Sequence, residues 1–216
     1  MKKLFLALMA IAAIALTGCE KSKDEPKQNH EAVDLGLSVK WATCNVGATN
    51  PEGYGDYFAW GETSPKTSYY WSTYFDTNDD GSTFIKYNND GGKTVLDLAD
   101  DAAHVNWGGN WRMPTEAEQD ELINNCTWTW TSNYNGTGVK GHIVSSKKNS
   151  NSIFLPTSGC RYGSSLYDAG SYGGYWSSSL YSSRLGYACS LFFVSDSVDW
   201  YDYRRFYGRS VRPVCQ

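Results

Sequence analysis

The chain has 216 residues, a formal net charge of −4 at pH 7, nine tryptophans, sixteen tyrosines, twenty-one glycines and only three histidines. An acidic balance without a clustered basic face argues against a nucleic-acid binder, which must meet phosphate with Lys and Arg. Much aromatic area, many turn residues and few leucine-rich periodic segments point to a β-rich, loop-rich fold.

Lys2 and Lys3 precede an apolar run at residues 4–16, LFLALMAIAAIAL. Its thirteen residues fall short of the roughly 20 that a spanning helix needs, and a charged start before a short apolar run is the pattern of a signal peptide. The run closes on Leu16-Thr17-Gly18-Cys19, which resembles the lipobox of bacterial lipoproteins. That resemblance implies residues 1–18 as a lipoprotein signal peptide, lipidation of Cys19 and attachment by acyl chains. Residues 19–32 carry mixed charge and almost no apolar side chains, so they cannot build a core and are expected to be a flexible tether. A charged run just after a lipidated cysteine is also similar to the surface-export signals of some Bacteroidota lipoproteins, the other reading being a plain solvated spacer. Residues 33–216 suit a single domain.

Residues 32–47, AVDLGLSVKWATCNVG, alternate apolar and polar positions around Leu35, Leu37, Val39 and Trp41, the period of a half-buried strand. Tyr57, Phe58 and Trp60 are expected anchors in the turn-rich stretch that follows. Residues 66–92 are polar and rich in Gly, Asp and Asn, which reads as a long surface insertion. Within it DTNDDG opens like a calcium-binding loop, with oxygens at Asp76, Asn78 and Asp80 and a turn at Gly81, although Tyr87 stands where the closing Glu belongs. Calcium at Asp76, Asn78 and Asp80 competes there with a plain Asx-rich turn. No other cofactor or metal is implied.

Pro114, Thr115 and Glu118 predict a capped helix, with Leu122 and Ile123 buried and Asn124-Asn125 as its stop. Glu116, Glu118, Asp120 and Glu121 read as a solvated face with acids near the positive helix start, not as a catalytic cluster. TWTWTS and VKGHIVSS form a predicted hairpin, and NSIFLPTSG a short buried strand. YACSLFFV and SVRPV read as core strands. After Cys19 come Cys44, Cys126, Cys160, Cys189 and Cys215, with no C-x-x-C pair, and His30, His104 and His142 are not spaced for zinc. Buried thiols and one or two bridges both remain open.

Together VDLGLSVKWATCNVG, GDYFAWGE, GGNWRMPTEAEQDEL, IFLPTSGCR, GYWSSS and GRSVRPV resemble the Fibrobacter succinogenes major paralogous (FISUMP) domains and their relatives among Bacteroidota lipoproteins. The resemblance spans residues 33–216. It implies an α+β, C-type-lectin-like fold, loop-rich with short antiparallel sheets and one or two helices and shared with formylglycine-generating enzymes, with Trp111 and Arg112 leading into the main helix and Arg212 locking a strand to a neighbouring carboxylate or carbonyl. The C-terminal third also resembles the variable proteins of diversity-generating retroelements. Between Leu180 and Tyr207 only Trp200 lies outside the residue set that adenine mutagenesis of Asn codons reaches; the same composition also fits a static binding loop.

These readings converge on a non-catalytic lipoprotein of the outer membrane, exposed at the cell surface. Its expected partner is a surface protein or glycan, held by Tyr162, Tyr167, Tyr172, Tyr181, Trp200, Tyr201, Tyr203, Arg204, Arg205, Phe206 and Tyr207. Tyrosine offers large rigid contact area at low entropy cost, and Ser and Gly adapt around it. DWYDYRRFY is the expected recognition loop and GRSVRPV the structural end, divided at Gly208. A structural adhesin or pilus-tip subunit is the alternative. A formylglycine-generating enzyme is the weaker one, since Cys189 and Cys215 lie in no matching motif. Neither calcium-site signature of sugar-binding lectins is present.

Overall fold

The computed structural model describes residues 30–78, 80–88 and 92–216. The expected signal peptide, the expected lipidation site Cys19 and the expected tether up to residue 29 lie outside the described residues. The last tether residues do not hang free: the His30 ring stacks on Trp107 at 3.6 Å and 4°, and Ala32 already pairs in a sheet. No described helix is long and apolar enough to cross a membrane.

The architecture is mixed, with two α-helices and several short antiparallel sheets. Strands β1 (Ala32–Val33) and β2 (Lys40–Ala42) pair with each other, and β2 pairs on its other side with β11 (Val214–Cys215). The expected single strand over residues 32–47 is therefore a hairpin. Gly36, at φ +70°, reverses the chain in a conformation that suits glycine. The alternation still reports burial correctly, with Leu35, Val39 and Trp41 in the core.

Helix α1 (Ala102–Trp107) is capped by Asp101, which accepts from His104 N at 2.9 Å. Helix α2 (Glu116–Asn125) has the predicted capping box: Thr115 accepts from Glu118 N, and Glu118 Oε2 accepts from Thr115 N at 2.8 Å. Arg112 forks onto both Glu118 oxygens at 2.8 and 2.5 Å. Burial pulls the Glu118 carboxyl up, but the Arg112 pair and the Thr115 hydrogen bonds hold it below the usual carboxylate range. The acidic face of α2 is less solvated than expected. Glu121 accepts from Ser38, and Glu116 accepts from the Cys189 thiol at 3.3 Å.

The helix runs straight into β3 (Cys126–Thr131), which pairs with β4 (Gly141–Ser146), itself paired with β5 (Ser152–Pro156). A small hairpin, β6 (Cys160–Tyr162) with β7 (Ser165–Tyr167), precedes the main sheet of β8 (Gly173–Leu180), β9 (Tyr187–Phe193) and β10 (Val198–Arg204), ordered β10-β9-β8. Helix α2 packs against β3 and one face of the main sheet. Leu122, Val144, Leu155, Tyr175, Leu191, Phe193 and Val214 fill the core between them. All five described cysteines are free thiols.

The C-terminal segment stitches distant parts together. Gly208 exchanges backbone hydrogen bonds with Arg161, Arg209 with Phe58, and Val214 with Arg112. Val211 and Val214 are buried, and Arg212 donates to Asn45 Oδ1 at 2.7 Å and to the Ala42 and Thr43 carbonyls. The strand lock expected of Arg212 is thus made to carbonyls and an amide, not to a carboxylate.

The insertion at residues 66–92 is anchored, contrary to its polar composition. Tyr69 and Tyr74 are buried and donate to the Tyr57 and Trp60 carbonyls at 2.6 Å each. Asp76 is buried too, paired with Arg205 at 3.1 Å and accepting from Lys86 N and Tyr87 N. That overturns the calcium reading. The Asp76 carboxylate is committed to a guanidinium, while Asn78 and Asp80 accept from the backbone amide of Ser82 in an Asx-rich turn. Among the described residues no group of three or more His, Cys, Asp or Glu is placed to hold a metal.

Candidate binding surface

Sheet register sorts the eleven expected contact residues. In β10 the side chains alternate across the sheet, as strand geometry requires. Trp200 lies opposite Leu191 and Asp202 opposite Cys189, on the face covered by α2. Tyr201 lies opposite Ser190 and Tyr203 opposite Ala188, on the other face. The expected recognition loop is therefore an edge strand, and its residues do not all look the same way.

On the face away from α2, Tyr172 meets Phe192 at 5.2 Å, Phe192 meets Tyr201 at 5.2 Å, and Tyr203 lies 6.5 Å from Phe192. Beneath them lies Arg209. Its guanidinium is fully buried, 3.4 Å from the Tyr203 ring centroid and 5.4 Å from that of Trp176, and it donates to Ser190 Oγ at 3.1 Å. A Cβ on Gly174 would fall 2.2 Å from Arg209 Nη1, so glycine is what lets the arginine lie flat on β8. The cation–π contact fixes the Tyr203 ring from behind.

A second group continues this face around the β6–β7 hairpin. Tyr162 stacks on Tyr207 at 5.3 Å, meets Tyr70 edge-on at 5.4 Å and lies 6.3 Å from Tyr167. Cys160, Tyr162, Tyr167, Asp168 and Tyr207 line an open cavity of about 230 Å³. The Gly159 amide donates to the Tyr172 carbonyl at 2.8 Å, which ties Tyr172 to the chain just before β6. Burial raises the Tyr172 and Tyr207 hydroxyls, with Arg209 pulling both back, so they stay neutral at physiological pH. Tyr70, Tyr162, Tyr167 and Tyr201 are the exposed rings of this surface, each between 39% and 47% exposed.

Tyr181 and Trp200 lie together at 6.3 Å away from this surface, on the α2 side of the sheet. Arg204 stands at the corner, donating from Nε to Tyr187 Oη at 3.2 Å while Tyr207 and Tyr162 act on it electrostatically. Arg205 and Phe206 are corrections, since both belong to the core. Arg205 is fully buried against Asp76, the Tyr87 carbonyl and the Trp60 and Phe84 rings. Phe206 packs among Tyr57, Tyr69 and Tyr74. Surface and core therefore interleave before Gly208: Arg205 and Phe206 turn inward between the exposed Arg204 and the half-buried Tyr207.

A family model described as a domain of unknown function (DUF8237) matches residues 139–214. The matched span begins just before β4 and carries the β6–β7 hairpin, the main sheet and the stitching segment, and so nearly all of the aromatic surface. No curated protein and no solved structure matches the chain.

Tyr70, Phe192, Arg209 and Asp168 complete the surface without having been expected. Tyr70 arrives from an insertion that looked unrelated, and Phe192 was assigned to a core strand. The register places it opposite Asp199, on the face away from Leu191 and Phe193, which are buried in the core.

Proposed function

We propose that the chain is a non-catalytic binding protein whose contact surface is the tyrosine-lined face running from Tyr70 and Tyr162 across Tyr207 and Tyr172 to Tyr203 and Tyr201. The observation that carries this is the support beneath the rings. Arg209 and Gly174 hold Tyr203, and the buried Arg205 and Phe206 fix the chain just before Tyr207. Rigid, partly exposed aromatics on a fixed frame have the chemistry of binding hot spots, because little side-chain entropy is lost on contact.

The FISUMP resemblance and the mixed α+β architecture support a C-type-lectin-like fold. The lipobox supports an outer-membrane lipoprotein displayed at the cell surface, with a surface protein or glycan as ligand. Retroelement diversification is part of the proposal for residues 180–207. It predicts a near-identical template repeat and a reverse-transcriptase gene beside the coding sequence, and a locus with neither removes it. The enzyme alternative needs a copper-holding cysteine pair. Cys189 instead faces Glu116, and Cys215 lies opposite Lys40 in a different sheet.

The test is a glycan and surface-protein binding screen with the full chain. Tyr162→Ala with Tyr207→Ala, and separately Tyr201→Ala with Tyr203→Ala, are expected to weaken the ligand found roughly tenfold or more. Trp200→Ala is expected to leave it unchanged. Binding lost on Trp200→Ala and kept in both tyrosine pairs would move the surface to the opposite face.

A further inference from the structure

The strand β6 separates two cavities. Cys160 and Tyr162 line the aromatic one of about 230 Å³, and Arg161 lines a second, more polar one of about 460 Å³ with Asp56, Lys66, Thr67 and Ser164. Alternation along three residues sends neighbouring side chains to opposite sides, so one short strand serves both cavities.

The charges in the larger cavity are unequally occupied. Lys66 is paired with Glu62 at 2.7 Å and also donates to the Thr73 carbonyl. Asp56 packs its carboxylate against Gly47 and pairs with no cation among the described residues. Arg161 has its guanidinium over the Tyr57 ring at 5.3 Å, and has no side-chain hydrogen-bond or ion-pair partner among the described residues. Its backbone is fixed on both sides by Gly208, at 2.7 and 2.9 Å. The result is a planar fork of donors, stacked on a tyrosine and held on a strand, facing a concave space with hydroxyls from Thr67 and Ser164. Such a fork matches carboxylate and sulfate oxygens in pairs. Beside the hairpin turn Tyr70 meets Tyr162 edge-on at 5.4 Å, and Gly163 leaves room for the Tyr70 hydroxyl.

We propose that the two cavities flanking the β6–β7 hairpin form one subsite for an acidic saccharide, with Arg161 taking the anionic group of one sugar and the tyrosine-lined cavity receiving the ring of its neighbour. This rests on the binding-surface reading and narrows it to one ligand class. The carboxylate of a uronic acid and the sulfate ester of a sulfated sugar present the same paired oxygens to Arg161. Thr67, Ser164 and Asp168 meet ring hydroxyls, and the tyrosine faces meet the apolar C–H face of the ring.

The experiment is titration calorimetry of the full chain with oligogalacturonate, a heparin-derived oligosaccharide, a neutral oligosaccharide of the same length, and inorganic sulfate. An acidic oligosaccharide is expected to bind at least roughly tenfold more tightly than the neutral one, with affinity falling as salt is raised. Arg161→Ala is expected to abolish that preference, and Arg161→Lys to restore it only in part, because lysine keeps the charge and loses the fork. A melting temperature within a few degrees of the parent, on the order of what a surface change allows, establishes that each variant is folded. Equal affinity for acidic and neutral chains, or an unchanged preference in Arg161→Ala, overturns the proposal while leaving the tyrosine surface standing. Inorganic sulfate that competes as well as the oligosaccharide reduces the site to a bare anion site and overturns it too. Acidic saccharide that binds equally well to Tyr162→Ala with Tyr207→Ala fails the binding-surface reading itself.

Discussion

Arg204 and Arg205 are adjacent in sequence and opposite in fate. Arg204 ends an edge strand in solvent, while Arg205 turns inward to a buried carboxylate 129 positions earlier in the chain. Nothing local distinguishes them, because each is a charged residue in an aromatic run, and the partner Asp76 sits in a segment whose composition suggests a polar loop. Desolvation lowers the Arg205 guanidinium's affinity for its proton, and the Tyr74 and Asp76 fields oppose that. Breaking such a pair from one side strands a buried charge. Arg205→Met is expected to cost about 3–5 kcal/mol, and Asp76→Asn a comparable amount, whereas the double substitution should cost clearly less than the sum. Urea denaturation of the four proteins gives the cycle, and strict additivity would show that the two side chains do not interact. Arg204→Met should change stability by no more than about 0.5 kcal/mol.

The element most legible in the sequence is α2, because its signals are local. The Thr115 hydroxyl and the Glu118 carboxylate act within one turn, so their spacing announces the cap. What the spacing does not announce is Arg112, which joins the box from outside the helix. Thr115→Ala is therefore expected to cost about 1 kcal/mol, and Glu118→Ala more, since it removes a cap and leaves Arg112 unpaired. Shifted denaturation midpoints at unchanged slope would verify the order, and a larger loss for Thr115 would contradict it. Because Glu118 is depressed in the folded state, its contribution is full above the unfolded carboxyl range and is lost as pH falls through the folded value. The β3–β4 hairpin was equally readable from its alternation. Strand β10 was not, because Asp, Tyr and Arg weigh against a strand until β9 supplies the register. The candidate site was half legible for the same reason. Composition picks out the tyrosines, but the face each occupies depends on pairing with a strand elsewhere.

At the scale of the molecule the question is what holds the sheets together, and one histidine lies at a junction. His142 sits in β4, yet its Nε2 donates to the Val194 carbonyl at 2.8 Å, just past the end of β9. Trp128 and Trp130 from β3 and Phe193 from β9 surround the ring at 5.2 to 5.5 Å. In the sequence this residue is merely one of three scattered histidines; its role exists only once two sheets meet. Burial lowers its pKa below the ordinary value and the Val194 hydrogen bond only partly offsets this, while Nδ1 has no acceptor ready for a second proton. The unfolded chain therefore binds more protons than the folded one as pH falls below about 6.5, and stability must drop through that window while staying level above it. His30 on Trp107 shifts in the same direction, also through burial, and adds to the effect at the domain's edge. Urea midpoints are thus expected to be lower at about pH 5.5 than at about pH 7.5, a range chosen to stay above most carboxylate titrations. His142→Leu is expected to remove most of that difference even if it lowers stability at both pH values, and His30→Ala to remove the smaller remainder. A pH dependence unchanged in His142→Leu would mean that the junction between the sheets does not sense protons, and that the acid sensitivity arises elsewhere.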